Sequence, residues 1–161
     1  MRRRGSGRGD GNGGIVAVNP YHGGGRRELV HRPKAYGFDT GFVAFARGWR
    51  DVREEDRGVL WEHLVLDVLR TAAGAEEVCY WSDKSGREVD FVVRRGRGAD
   101  AVECKINPDK FDPGPLSVFR SSYPEGRNFV VCPGVTRTHD RRAGDLVVRI
   151  TGCSGLMAEM Q

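Results

Sequence analysis

The sequence predicts an α/β domain in which helices pack on a mixed β-sheet, and three observations carry that expectation. Residues 58–73 place Leu60, Trp61, Leu64, Val65, Leu66, Val68 and Leu69 on one broad apolar arc at helical spacing, and Gly74 ends the run. Residues 78–81, 87–94 and 99–106 are short runs rich in β-branched and aromatic side chains, divided by turn residues. A helix-sized segment, 116–122, lies between the third of these and the apolar run 128–132, so those two strands should pair in parallel through a right-handed crossover.

The elements follow in order along the 161 residues, a length that fits one domain. Residues 1–31 combine nine glycines, from Gly5 to Gly25, with six arginines. Glycine at this density loses too much backbone entropy to order unaided, so a flexible Gly/Arg-rich tail is expected. Order should begin near Pro33, with a short strand from Lys34 running into the Asp39-Thr40-Gly41 turn and a short helix over 42–46. After the long helix, the strand at 78–81 turns at Asp83-Lys84-Ser85-Gly86, and the strand at 87–94 turns at Arg95-Gly96-Arg97-Gly98 into 99–106. Residues 107–115 hold three prolines and are read as loop. Apolar strands are expected at 128–132 and 146–150, with a polar, turn-rich segment at 133–144 between them. The domain is thus placed at 32–150, followed by a C-terminal tail at 151–161.

Composition narrows the classes of function. Hydrophobic residues make up 39% of the chain, too many for a sequence disordered throughout. No apolar run approaches the roughly 20 residues of a membrane span, and the start lacks a signal-peptide stretch, so a cytoplasmic protein without a membrane partner is expected. Cys79, Cys104, Cys132 and Cys153 form no CxxC pair and are read as reduced, small apolar side chains rather than a zinc site. The six arginines at 1–31, set against Asp10 and Glu28, account for the entire net charge of +4. The GxxxxGK[ST] phosphate loop is absent from the sequence, which argues against ATP binding by this chain.

The acidic residues carry the most specific signal. Glu62 projects at the edge of the core-facing arc of its helix, where a carboxylate needs a partner, a metal or water, while His63, Asp67 and Arg70 are expected on the solvated side. Strict alternation would place Glu88, Asp90 and Val92 on one strand face and Val89, Phe91 and Val93 on the other. On the next strand Glu103 and Lys105 share a face, and the short turn brings Asp90 close to Glu103. Two such carboxylates repel unless something positive lies between them, and either Lys105 or a divalent cation could supply it. Asp90 followed across a hairpin by Glu103-Cys104-Lys105 is the Asp…ExK arrangement of metal-dependent nucleases. Mg²⁺ wants carboxylate oxygens, and a lysine beside it can stabilise developing charge. A solvated sheet face remains the open alternative. Only four lysines stand against 22 arginines, which makes a lysine at position 105 unexpected from composition.

Three stretches also resemble a known family: 33–41, 58–65, and 80–92 continuing into 102–105. They are similar to the PD-(D/E)xK nuclease-like module, a domain of unknown function, found at the C-terminus of AAA-type ATPases. The resemblance covers about 32–150 and implies a restriction-endonuclease-like fold. It implies Glu62, Asp90 and Glu103 as metal-binding residues, Asp90, Glu103 and Lys105 as catalytic residues, Mg²⁺ as cofactor, and DNA or another nucleic acid and an AAA-type ATPase as partners. The ATPase and winged-helix parts of that family are absent here, and residues 1–31 resemble neither. Two alternatives accompany the nuclease reading: an inactive interaction module, or a truncated remnant of a larger ATP-binding protein.

Overall fold

In a computed structural model, which describes residues 14–23, 32–37, 39–48 and 50–161, eight strands form one mixed sheet with helices on both faces. The strands are β1 (Ile15–Pro20), β2 (Lys34–Gly37), β3 (Val78–Ser82), β4 (Glu88–Arg95), β5 (Gly98–Cys104), β6 (Asn128–Val131), β7 (His139–Ala143) and β8 (Leu146–Thr151). The helices are α1 (Thr40–Ala46), α2 (Arg57–Ala73), α3 (Gly114–Ser122) and α4 (Cys153–Met160). Strand order is β2-β1-β3-β4-β5-β6-β8-β7. The pairs β1–β3, β5–β6 and β6–β8 are parallel and the remaining pairs antiparallel. The expected crossover from β5 through α3 to β6, attached to the β4–β5 hairpin, is present.

Period-two patterning divides the core into two layers. Tyr80, Phe91, Val93, Val102, Phe129 and Val131 pack on Val65, Leu66 and Leu69 of α2 and Leu156 and Met160 of α4. On the other face Trp81, Val89, Val92, Ala101, Val130 and Ile150 pack on Leu116 and Phe119 of α3. Phe91 and Trp81 are core aromatics, as their runs imply, whereas Trp61, read from sequence as core with them, packs against the core only partly buried.

Three elements depart from the sequence reading. Ile15–Pro20, placed in the flexible tail, form β1, which is hydrogen-bonded to β2 on one side and β3 on the other, with Val18 buried. Residues 151–161, set apart as a tail, close β8 with Thr151 and then form α4, whose Leu156 and Met160 are buried against α2. The polar segment at 133–144 contains β7, an edge strand whose arginines leave it charged and hard to extend. The other expectations for residues 1–31 fall partly on positions outside those described.

The connection from α3 to β6 runs unusually close to β5. Gly126 has φ 129°, and a Cβ there would stand 2.0 Å from the Ala99 carbonyl oxygen. Ala99 N–H donates to Glu125 O across the same gap at 3.0 Å. Gly126→Ala is therefore expected to lower stability by more than about 1 kcal/mol, read as a fall in the thermal midpoint; an unchanged midpoint would mean the strand and loop can separate freely.

Candidate active site

Strand direction gathers the polar chemistry at one end of the sheet. The C-terminal ends of β1, β3, β5, β6 and β8 and the N-terminal ends of β2, β4 and β7 lie together there. All four lysines of the chain fall at this end: Lys34 opens β2, Lys84 lies in the β3–β4 turn, and Lys105 and Lys110 follow β5. Ligands of open α/β sheets bind in such a crevice, outside the carboxyl ends of parallel strands.

Asp90 is aimed by a β-bulge. Cys79 pairs with Val92 but Trp81 pairs with Val89, so Asp90 and Phe91 together stand opposite Tyr80. Strict alternation along β4 therefore fails: Phe91 and Val93 face α2, whereas Val89 and Val92 face α3. The extra residue turns the Asp90 carboxylate across the hairpin, where its Oδ2 accepts from the Cys104 N–H at 2.7 Å. That contact fixes the carboxylate against the backbone of the next strand.

Glu103 and Lys105 meet Asp90 at this point. Lys105 Nζ lies 2.7 Å from Glu103 Oε2 and 3.6 Å from Asp90 Oδ2, so the ammonium stands between the two carboxylates. The Glu103 side chain is only 6% exposed. Burial, and then the Asp90 charge, push its carboxyl up to about 7 despite the opposing pull of Lys105. For Lys105, burial works against the charged form, but Asp90 and Glu103 outweigh it and raise the pKa.

Glu62 forms a second lobe. Its Oε1 accepts from Tyr36 OH at 2.5 Å, and burial raises its carboxyl while the Tyr36 hydrogen bond works in the opposite direction. Burial and the neighbouring Glu62 raise the Tyr36 phenol far above its ordinary value. Lys34 Nζ lies 2.7 Å from Glu88 Oε2 and also feels Glu62 and Asp90. Of the residues expected from sequence, Asp90, Glu103 and Lys105 are thus brought into direct contact, while Glu62 is held by Tyr36 and reaches Asp90 only through its field.

Lys34, Tyr36 and Glu88 join this cluster without having been singled out for it. Lysine scarcity, which marked Lys105, applied equally to Lys34. His63, expected in solvent, is buried with its ring 5.1 Å from that of Tyr36, and its Nδ1 lies 2.8 Å from the Val59 carbonyl.

The donor set can be tested for a divalent cation. Among the described residues no three His, Cys, Asp or Glu side chains converge closely enough to form a closed metal cage. Asp90 and Glu103 alone supply hard carboxylate oxygens around a position now bridged by the Lys105 ammonium. That set fits Mg²⁺, which commonly takes one or two carboxylates and completes its shell with water and phosphate.

A family profile described as a domain of unknown function, DUF4143, matches residues 57–152, from α2 to the residue after β8. The match contains Glu62, Asp90, Glu103 and Lys105 but not Lys34 or Tyr36. No curated protein matches the chain in sequence.

Proposed function

We propose, for a chain that belongs to the DUF4143 family of domains of unknown function, a nuclease-like role: binding a nucleic acid at Asp90, Glu103 and Lys105 and cleaving its phosphodiester with a divalent cation. The observation that carries this reading is the Lys105 ammonium standing between a backbone-anchored Asp90 and a buried Glu103. A surface ion pair would have no reason to bury a carboxylate whose charge is opposed by its surroundings; a site that awaits a stronger cation would.

Mg²⁺ held by Asp90 and Glu103 would supply the Lewis acid and a bound water of lowered pKa. The protein's own part is positional. Asp90, fixed by Cys104 N–H, and Glu103, fixed by burial, hold two oxygens in place without rearrangement. Lys105, protonated throughout the physiological range, presents a positive charge to a phosphate oxygen and stabilises the charge that develops there. Glu62, held by Tyr36, adds a negative field behind Asp90 that favours a cation. The same reading makes this a PD-(D/E)xK-type module that works beside an AAA-type ATPase segment. No helix among the described residues is long and apolar enough to cross a membrane.

Calorimetric titration of Mn²⁺ and Mg²⁺ into the full chain tests this, with Asp90→Ala and Glu103→Ala beside the wild type. Micromolar to sub-millimolar binding in the wild type, lost in both variants, is expected. Lys105→Ala should keep metal binding while cleavage of a labelled strand falls by about 10²- to 10³-fold, the effect of removing one charge-stabilising donor. A wild type that neither binds metal nor cuts nucleic acid in its presence overturns the nuclease reading in favour of an inactive interaction module.

A further inference from the structure

The apolar arc of α2 is wider than the core uses. Val65, Leu66 and Leu69 are buried, but Leu60 and Trp61 are only half-buried and Leu64 is 43% exposed. With Val52, Ile106 and Pro133 they line an open groove of about 420 Å³. Ile106 and Val52 are also exposed, at 38% and 55%, so the groove walls offer apolar surface to whatever enters. A second hollow of the same size differs in kind: charged side chains make up half its lining, and its Arg127 and Arg149 are already bound to Asp100, Asp140 and Glu159.

We infer that the α2 groove receives an unpaired nucleobase of the strand whose phosphate lies at Lys105, so that the ligand is single-stranded or locally unpaired nucleic acid. This rests on the nucleic-acid reading of the Asp90–Glu103–Lys105 site. Position is the first argument. Trp61 and Ile106 are the chain neighbours of Glu62 and Lys105, and consecutive Cα atoms are about 3.8 Å apart, so groove and site abut. Just past the end of β5, Lys105 reaches Glu103 and Asp90 while Ile106 lines the groove.

Charge is the second argument. Among the described residues no carboxylate lines the groove, and Thr40 and Arg57, the latter 3.7 Å from Glu54, supply its polar contacts. All four lysines lie at the same end of the sheet, so a strand tracking that end meets ammonium groups while a base turns into the apolar wall. Rigidity is the third. Trp61 Nε1 donates to the Val131 carbonyl at 2.9 Å, which fixes the indole before any ligand arrives. A paired base inside a duplex could not reach this surface without leaving its stack.

Fluorescence anisotropy of the full chain with labelled dodecamers, with and without Ca²⁺, tests this. The probes are a base-bearing single strand, an abasic strand with the same phosphates, and a duplex, each in DNA and RNA form where the chemistry exists. The base-bearing strand is expected to bind roughly tenfold more tightly than the abasic strand, the usual scale for one stacked base. Leu64→Ala combined with Ile106→Ala, both at exposed positions, should bring the base-bearing strand down to the abasic affinity and leave abasic binding unchanged. Equal wild-type affinity for the base-bearing and abasic strands overturns the inference and leaves the nuclease-like site standing. Tightest binding of the duplex also overturns it, as does an unaffected double variant. Failure to bind any of the three probes removes the reading of the site itself.

Discussion

Replacing Arg120 with methionine is expected to cost about 2–4 kcal/mol of stability, the scale for removing a buried charged donor from several hydrogen bonds. Arg120 is 8% exposed, and each of its three guanidinium nitrogens donates to an acceptor inside the protein. Nε donates to Asn128 Oδ1 at 2.6 Å; Nη1 reaches the carbonyls of Ala99, Tyr123 and Glu125 at 3.0, 3.1 and 3.0 Å; Nη2 reaches Arg127 O at 2.6 Å. One planar guanidinium thereby closes the end of α3, the loop that follows it and the starts of β5 and β6. Methionine keeps much of the stem's volume and contributes no donor, so Tyr123 O and Asn128 Oδ1 lose the Arg120 donors in a buried site, while Glu125 O and Arg127 O keep the N–H groups of Ala99 and Ala101. Burial lowers the Arg120 pKa, opposed by the Asp100 charge, so the cation is held against a desolvation cost that the carbonyls offset. Arg120→Lys should rescue little, because an ammonium cannot span this fork. Urea unfolding of both variants, with unchanged slope and a lowered midpoint, is the measurement. A loss under about 1 kcal/mol would mean that water reaches these carbonyls.

That network was invisible in the sequence, and the reason separates what could be read from what could not. The β4–β5 hairpin was legible because its turn is two residues long and its patterning local, so Asp90, Glu103 and Lys105 could be placed together from spacing alone. The α3 crossover was legible for a similar reason: a helix-sized segment between two apolar runs leaves few topologies. β1 was not, because Val16 and Val18 are too few to stand out among glycines, and its order comes from pairing with β2 and β3, both distant in sequence. β7 has no apolar period, being His-Asp-Arg-Arg-Ala at a sheet edge, and it exists because β8 offers a free side. α4 is short and contains Gly155; packing against α2 rather than propensity holds it. The bulge at Asp90 depends on its partner Tyr80, and no single-strand pattern encodes that. His63 follows the same logic: the helical period put it on the wet side, but Tyr36, brought in by β2, covers it.

Glu103→Gln is expected to make the protein more stable near neutral and alkaline pH while removing the proposed metal and its activity. The Glu103 carboxyl is pushed up to about 7 from an ordinary 4.5, by burial first and by Asp90 second. Between those values the folded protein holds a proton that the unfolded chain has released, so stability falls as pH rises. The contribution is fully present below about pH 4.5 and is lost as pH passes through about 7. By pH 8 the loss is on the order of 1–3 kcal/mol, and glutamine, which stays neutral and can still accept from Lys105, should escape it. Urea midpoints measured across this range should fall with pH in the wild type, stay flatter in Glu103→Gln, and converge at the acid end. A wild-type midpoint that instead rises with pH would show that Lys105 stabilises the ionised carboxylate more than burial and Asp90 oppose it, and Glu103 would then be a plain ion-pair partner. With the expected slope, added Mn²⁺ should recover the lost stability in the wild type alone, because a divalent cation adds positive charge beside Asp90 and Glu103 beyond the single charge of Lys105.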